Sequence, residues 1–306
     1  MYYIRQELGM VDAPMNSLTG DGVTIAVIDT GVSLHPDFGN RVIAFQDFTA
    51  QGHTLHRAYD DGSHGTHVCG VLAGNGSCSR GKWRGMAVKA NLVVAKVLDC
   101  HGDGAIKNLL QAIEWIESTR ALYHTKIVNI SMGIGELEDM QLQSKAIRAI
   151  ESLWDIGLVV VVAAGNGGPA GGSMSPLGSS QKIITVGCYE GGRVPYNKKS
   201  CEYYSGRSSN ESLYTKPDLV TMGTNITSCN SEFRRSKKLY ENAYSKKSGT
   251  SMATPIVSGG CALYLERYPK ASNEQLKRKL IYTAIDCGED WYKQGFGRFN
   301  LQGFLE

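Results

Sequence analysis

The sequence lacks an apolar run long enough to cross a membrane. Its longest run, Leu158 to Ala164, has seven residues, whereas a membrane-spanning helix needs about 20. The first ten residues include the charged Arg5 and Glu7, and they contain no apolar segment of the length that a secretory signal requires. Read as a complete product, the chain is expected to be cytoplasmic and to have no membrane partner. The alternative is a secreted protein whose processed form begins at Met1.

The sequence also lacks a strong excess of one charge. Its 32 basic and 29 acidic residues leave a net charge of +3, so bulk electrostatics give no reason to expect a nucleic-acid partner. The eight cysteines include no CxxC pair and no metal-like cluster. Three of them, Cys69, Cys188 and Cys261, lie in apolar segments, where a free thiol behaves as a small hydrophobe. We therefore predict reduced thiols and no metal ligands, while the even count leaves a secreted, disulfide-bonded protein open.

Short apolar strands alternate with amphipathic helices along the chain. Residues 23–28 are rich in β-branched side chains, which favours a buried parallel strand. Residues 105–122 instead place their apolar side chains at helical spacing. The same reasoning predicts strands at 92–98, 126–130, 158–163, 182–186 and 218–220, and helices at 64–73, 140–156, 251–268 and 273–284. This alternation predicts an α/β fold, with a doubly wound, mostly parallel sheet and helices on both faces. We expect one domain, in which a short arm (1–19) precedes the core (20–306).

Three residues supply the groups that nucleophilic catalysis needs. A serine hydroxyl requires an adjacent base, an imidazole suits that role at neutral pH, and a buried carboxylate orients the imidazole. Ser251, His64 and Asp29 have these side chains, and Asp29 directly follows the first predicted strand, where ligands bind in such sheets. Each segment alone also fits a plainer role: a turn at Asp29, a helical or metal-ligating histidine at His64, and a helix cap at Gly249-Thr250-Ser251.

The motifs DTG, HGTHV, AAGN and GTSMATP, in this order, resemble those of the subtilase family of serine proteases. The resemblance spans nearly the whole chain, and Gly74-Asn75-Gly76 with the segment 81–87 is similar to the cytoplasmic bacterial AprX type. It implies a triad of Asp29, His64 and Ser251. It further implies an oxyanion hole formed by the Asn166 amide and the backbone N–H of Ser251.

The resemblance also implies how a peptide would bind, as an added strand whose main chain is held on both sides. The positions that match substrate-binding positions of the family are Gly102, Asp103, Gly104, Ile106, Ser131, Met132, Gly133, Ala164, Gly165, Gly167 and Met174. The expected function is a serine endopeptidase that acts on extended or unfolded polypeptide. The alternatives are a dedicated protease that processes leaders or precursors and a catalytically silent peptide-binding module.

The family resemblance also bears on metals. Residues 77–81 differ from the calcium loop of secreted relatives, so we expect no required cofactor, and a structural calcium ion is possible but not indicated. The basic stretch 234–238 is predicted to be a solvated loop. Five further histidines are predicted to lie at the surface, namely His35, His53, His56, His101 and His124.

Overall fold

The centre of the molecule is a seven-stranded parallel sheet. It is seen in a computed structural model that describes residues 1–10, 17–49, 57–133, 140–191, 199–236 and 240–306. The strands are β1 (Thr24–Asp29), β2 (Val42–Asp47), β3 (Asn91–Lys96), β4 (Thr125–Ile130), β5 (Val159–Ala163), β6 (Ile184–Cys188) and β7 (Leu219–Thr221). Their order is β2-β3-β1-β4-β5-β6-β7. Because β1 lies between β3 and β4, the chain reverses its direction of winding there, and such a switch point is where ligands bind in doubly wound sheets.

Helices form the layers that cover this sheet. They are α1 (Tyr2–Glu7), α2 (His64–Ala73), α3 (Ile106–Thr119), α4 (Met140–Asp155), α5 (Cys201–Tyr204), α6 (Thr250–Arg267), α7 (Asn273–Tyr282), α8 (Trp291–Gln294) and α9 (Leu301–Leu305). Helices α2 and α6 pack on each other, and α6 also packs on β4, β5 and β6. Helices α3 and α4 form a second pair, which contacts β1 and β5. The predicted α/β fold with a mostly parallel sheet is therefore confirmed.

The burial of each element follows from its sequence pattern. Strand β5 consists of four valines and an alanine, all buried, as expected for a strand covered on both faces. Helix α3 buries Leu109, Ile113 and Ile116 on one side, in agreement with their helical spacing. One hydrophobic core includes residues from Met1 to Leu305. In the described part of the chain, no helix is both long and apolar enough to cross a bilayer.

Some elements were not predicted. Strand β2 is only partly buried, so it lacks the apolar run that marks the central strands. Two short antiparallel pairs follow the sheet: β8 (Ile226–Cys229) with β11 (Tyr244–Lys247), and β9 (Arg234–Arg235) with β10 (Tyr240–Glu241). The prediction of a solvated stretch at 234–238 is confirmed for Arg234 and Arg235, which are exposed, but these two residues form β9 rather than a loop. Lys237 and Lys238 lie outside the described residues.

The first residues form more than an arm. Helix α1 lies at the start of the chain, and Met1, Ile4, Leu8 and Met10 belong to the hydrophobic core. Arg5 is also buried, and its guanidinium donates to the Gly85 carbonyl at 2.7 Å. This segment therefore packs on the core as an integral part of it.

Two cysteines correct the prediction of reduced thiols. Cys188, at the end of β6, is joined to Cys201, at the start of α5, and their Cα atoms are 5.8 Å apart. The fold brings the two side chains together, which the cysteine spacing alone did not reveal. The other six cysteines are free, as predicted.

Candidate active site

A short hydrogen bond joins two of the predicted catalytic residues. Asp29 is the last residue of β1 and is fully buried, whereas His64 is the first residue of α2 and keeps 28% of its side chain exposed. The His64 Nδ1 atom lies 2.7 Å from Asp29 Oδ1. Because a carboxylate only accepts, Nδ1 carries the hydrogen, and Nε2 is left with a lone pair that can accept a proton.

The Asp29–His64 pair shifts the acid–base chemistry of the imidazole. Burial disfavours the protonated form of His64, but the charge of Asp29 and the hydrogen bond to it outweigh burial and raise the pKa above its ordinary value. Lys247, at the end of β11, acts in the opposite direction and lowers the pKa of His64. The site therefore stabilises the positively charged imidazole that forms when His64 takes up a proton.

Asp60 fixes the start of the helix that carries His64. It is almost fully buried, and each of its carboxylate oxygens accepts several hydrogen bonds. The donors are the Thr30 hydroxyl (2.8 Å), the N–H groups of Gly62 (3.1 Å) and Ser63 (2.8 Å), and the N–H (2.8 Å) and hydroxyl (2.6 Å) of Thr66. A carboxylate at a helix N-terminus binds the free N–H groups of the first turn. Sequence reasoning missed Asp60, although it lies only four residues before His64.

The segments around Asp29 and His64 approach each other closely through a glycine. A Cβ atom on Gly65 would lie 2.1 Å from the Gly31 carbonyl oxygen. The Gly65 N–H also donates to the Thr30 hydroxyl at 2.9 Å. No larger side chain fits at position 65, because the two backbones must meet there for the carboxylate to reach the imidazole.

Ser251 lies in the first turn of α6. The helix begins after Gly249, whose φ of 151° is rare for residues with a side chain, and whose N–H donates to the Gly223 carbonyl at 3.0 Å. Ser251 is the second helical residue, so its N–H has no partner within the helix. Among the described residues, its hydroxyl makes no hydrogen bond to His64. This contact often tightens only when substrate binds.

Thr250 holds the side chain of Asn166 in one orientation. The Thr250 N–H and hydroxyl both donate to Asn166 Oδ1, each at 3.0 Å. The amide oxygen is therefore occupied, and the NH₂ group is left to donate elsewhere. Of the alternative helix cap at Gly249-Thr250-Ser251, Gly249 is the cap residue, while Thr250 binds Asn166 instead of capping the helix with its side chain. The positioning role of Thr250 was missed, although the residue belongs to the GTSMATP motif.

A cavity of about 450 Å³ lies beside Ser251. It brings together several predicted site residues with small and polar neighbours from the 172–176 segment. Its lining residues are Gly133, Ala163, Gly165, Asn166, Gly167, Gly172, Ser173, Met174, Ser175, Pro176, Thr250 and Ser251. A cavity beside a serine and an amide donor can hold the side chain that precedes a scissile bond. Ala164 is fully buried behind this surface, and its carbonyl accepts the Ser175 N–H at 2.8 Å.

The remaining predicted substrate residues lie outside this cavity. Gly102, Asp103 and Gly104 are exposed, on the loop that follows β3. Ile106 is buried in the core at the start of α3, and Met132 is half-buried against the core. Ser131 is buried, and its hydroxyl oxygen accepts a hydrogen bond from the Asn129 amide at 2.9 Å. Their role toward a peptide stays a prediction.

Two further histidines are buried and bonded to backbone carbonyls. His67 is not paired with His64 for a metal, because His64 binds Asp29 and His67 Nε2 lies 2.9 Å from the Ile226 carbonyl oxygen. Burial lowers the pKa of His67 to about 3. The surface prediction for His35 is wrong, since that side chain is 1% exposed. It holds for His101 and His124, whereas His53 and His56 lie outside the described residues.

Calcium, which the secreted relatives suggest, does not fit the segment around residues 76–81. Asp37 faces this segment and accepts hydrogen bonds from the N–H groups of Gly76 (3.1 Å) and Cys78 (3.0 Å) and from the Ser77 hydroxyl (3.0 Å). The Gly76 carbonyl turns away and accepts the Gly81 N–H at 2.8 Å. Calcium needs six to eight oxygen ligands, whereas this segment presents donors to the carboxylate.

Comparisons with known proteins agree with this geometry. Residues 20–304 match the Subtilase family. The chain is 36% identical to the serine protease AprX of Bacillus subtilis (strain 168), over 90% of the chain and 63% of AprX. It is 34% identical to subtilisin E of the same strain, over 93% of the chain and 66% of the relative, so it spans about two thirds of the length of both. Among solved structures, sphericase superposes with a TM-score of 0.76 at 28% identity, over 92% of each chain. The chain belongs to the subtilase family.

Proposed function

We propose that the protein is a serine endopeptidase that hydrolyses peptide bonds through an acyl-enzyme. The observation that carries this proposal is the 2.7 Å contact between His64 and Asp29. It is supported by the packing of α2 on α6, whose first turns contain His64 and Ser251. The cavity that Ser251 shares with Asn166 supplies a place for substrate beside the nucleophile.

The proposed reaction begins with proton transfer. The Ser251 hydroxyl oxygen attacks the carbonyl carbon of the scissile bond while His64 Nε2 takes its proton. The oxyanion that forms is bound by the Ser251 N–H and the Asn166 NH₂ group, whose orientation Thr250 fixes. His64 then gives the proton to the leaving amine, and water hydrolyses the acyl-enzyme by the same route. Each step uses only groups of the chain, so we propose no cofactor for the chemistry.

Substrate recognition is proposed to use exposed backbone. The loop at 102–104 and the residues after β4 would hold an extended peptide between them, so main-chain hydrogen bonds would provide affinity for many sequences. Among the described residues, none that lines the cavity at Gly167 and Met174 is charged. We therefore expect preference for an apolar side chain, rather than a basic one, immediately before the cleaved bond.

Active-site labelling tests the proposed chemistry. A fluorophosphonate should add once, to Ser251, and intact-mass and peptide analysis should locate the adduct. Ser251→Ala is the control and should neither label nor cleave casein. A wild-type protein that folds but fails to react with the probe would leave the peptide-binding module as the better description.

A peptide library separates a general peptidase from a dedicated processing enzyme. General endopeptidase action predicts cleavage of casein and of many library peptides, governed mainly by the residue before the cleaved bond. Strict dependence on several positions, with almost no casein hydrolysis, would favour the processing role.

Cytoplasmic location is also part of the proposal. Six free thiols suit a reducing compartment, whereas the bond between Cys188 and Cys201 suits an oxidising one. Probe labelling of cell fractions should find the protein in the cytoplasm. Label confined to the medium would support the secreted alternative.

A further inference from the structure

Three buried side chains with metal-binding atoms meet away from the catalytic residues. His35, Asp37 and Cys229 each contribute one ligand atom, and these atoms lie within 4.8 Å of one another. His35 Nδ1 is 3.8 Å from Asp37 Oδ1, and Cys229 Sγ is 3.7 Å from Asp37 Oδ2. No side chain of the three is more than 1% exposed. We call this group the His–Asp–Cys cluster.

The imidazole of the cluster has the orientation of a metal ligand. His35 Nε2 lies 2.8 Å from the Ala243 carbonyl oxygen, which only accepts, so Nε2 carries the hydrogen. The lone pair is therefore on Nδ1, which faces Asp37 and accepts its backbone N–H at 3.1 Å, so the ion would replace this hydrogen bond. Histidines that bind metals commonly donate their other N–H to a carbonyl in this way.

We propose that the His–Asp–Cys cluster binds a thiophilic divalent cation of the zinc class, through His35 Nδ1, an Asp37 oxygen and Cys229 Sγ. A mixed set of nitrogen, oxygen and sulfur donors suits zinc, which binds four such ligands tetrahedrally. We place Cys78 as the fourth ligand, because its backbone N–H donates to Asp37 Oδ1 at 3.0 Å and so holds the residue beside the same carboxylate.

Binding exchanges protons for the ion. The Cys229 thiol now contacts Asp37 Oδ2, and the cation takes the place of the thiol hydrogen, which leaves as a proton. Cys78 loses its thiol proton in the same way. The resulting negative charge is offset by Arg41, whose guanidinium already donates to the Asp37 carbonyl at 2.6 Å. The hydroxyl of Tyr244 donates to Asp37 Oδ2 at 2.7 Å and orients the carboxylate. The Asp37 oxygens also accept from Gly76, Ser77 and Cys78, and one of these hydrogen bonds gives way when an oxygen binds the ion.

The cluster connects segments that are far apart in sequence. Asp37 and Cys229 are 192 positions apart. Cys229 also borders the end of α2 opposite His64, because its sulfur lies 3.4 Å from where a Cβ of Gly74 would be. Ten residues of helix place this end about 15 Å from His64. The ion would thus stabilise the fold around α2 and take no part in peptide hydrolysis.

Metal binding is tested on the full chain carrying Ser251→Ala, which removes self-digestion. After treatment with a chelator, the protein should bind one Zn²⁺ per chain and unfold at a higher temperature. Co²⁺ should give the absorption bands of a tetrahedral ion with thiolate ligands. Ca²⁺ should produce neither effect, and Ca²⁺ stabilisation without any response to Zn²⁺ would overturn the proposal.

Variants locate the site. Cys229→Ser should weaken Zn²⁺ binding by at least about 100-fold, more than the loss of an outer-shell partner. Tyr244→Phe should weaken it roughly tenfold, as expected for an outer-shell group. Cys261→Ser alters an equally buried thiol in α6 and should leave binding unchanged. Binding that survives Cys229→Ser, or that Cys261→Ser lowers equally, would refute the assignment. If Cys229→Ser does not fold, the Co²⁺ spectrum of the Ser251→Ala protein, whose cluster is unaltered, tests for thiolate ligands instead.

Discussion

At the residue scale, the contact between Asp29 and His64 determines both the tautomer and the basicity of the imidazole. The 2.7 Å bond places the hydrogen on Nδ1, and the buried carboxylate raises the pKa of His64. A raised pKa means that the neutral, proton-accepting form appears only at higher pH. The pH at which activity rises should therefore follow the pKa of His64, and it should shift when a charge near this imidazole is removed.

Asp29→Asn should nearly abolish turnover. An amide can donate to Nδ1, which would turn the imidazole to the wrong tautomer, and kcat should fall by about 10⁴-fold. The acidic limb of the residual activity should also move to lower pH, because the charge that raises the pKa of His64 is gone. Steady-state kinetics across pH measure both effects. A kcat within tenfold of wild type would contradict the proposed role.

Lys247→Gln should shift the pH profile in the opposite direction. The Lys247 charge lowers the pKa of His64, so its removal should raise that pKa and move the acidic limb of kcat/KM to higher pH. Lys246→Gln removes the neighbouring charge on the same strand and serves as the matched control. Equal shifts in the two variants would show that general surface charge, rather than Lys247, is responsible.

Asn166 and Thr250 should act as one unit in catalysis. Asn166→Ala should lower kcat by about 10²- to 10³-fold with little change in KM, since the oxyanion forms only in the reaction. Thr250→Val, which removes the hydroxyl that donates to Asn166, should lower kcat by roughly tenfold through loss of orientation. In the double variant, the Thr250 effect should disappear, and a double-mutant cycle measures this coupling. Full additivity would argue that Thr250 acts independently of Asn166.

At the element scale, the two helices that carry the proposed catalytic groups are held in different ways. Helix α2 depends on polar contacts at its start, where Asp60 binds the first turn. Helix α6 is almost entirely buried and packs against α2 and several strands. Ser251 is therefore fixed mainly by packing, whereas His64 is fixed mainly by hydrogen bonds.

Asp60→Ala should destabilise the protein and impair catalysis together. Loss of the carboxylate leaves buried donors at the start of α2 unpaired, which should cost about 3 kcal/mol of unfolding free energy. Chemical denaturation of the Ser251→Ala protein measures this change without self-digestion. Asp21→Ala is the control, because its exposed pair with Lys89 should contribute less than about 1 kcal/mol. Similar losses in both variants would contradict a special role for Asp60.

At the scale of the whole molecule, one covalent link joins the sheet to the segment that leads toward α6. The Cys188–Cys201 bond packs on Gly223, where a Cβ would lie 2.7 Å from Cys188 Sγ. The Gly223 carbonyl in turn holds the N–H of Gly249, two residues before the nucleophile. Stability and the position of Ser251 are thus coupled through this region.

Breaking the link should lower global stability. The bond closes a sequence separation of 13 residues, and its removal should cost about 3 kcal/mol of unfolding free energy. Denaturation of Cys188→Ala/Cys201→Ala measures this loss, which reductant should reproduce in the wild type. Cys100→Ala removes an exposed free thiol and should have almost no effect. An unchanged unfolding midpoint in reductant would show that the two sulfurs are not bonded in solution.

The parallel sheet and the pairing of Asp29 with His64 were predictable because the strands and the motifs that contain these residues are local sequence features. Central strands are continuous apolar runs, and the catalytic motifs keep their residues within a few positions of one another. Long-range pairings were not predictable for the same reason. Asp37 meets Cys229 through tertiary folding across 192 positions, and the contact of Thr250 with Asn166 spans 84.

The burial of α6 also bears on how enzymes of this architecture diversify. Fifteen of its 18 residues are buried, so almost any substitution there disturbs packing and the nucleophile at once. The surfaces proposed to read a peptide lie elsewhere, on the exposed loop at 102–104 and around the cavity at 167–176. New substrate preferences can therefore evolve by changes in these loops while the proposed catalytic residues stay the same. Engineering of substrate selectivity should start from those loops.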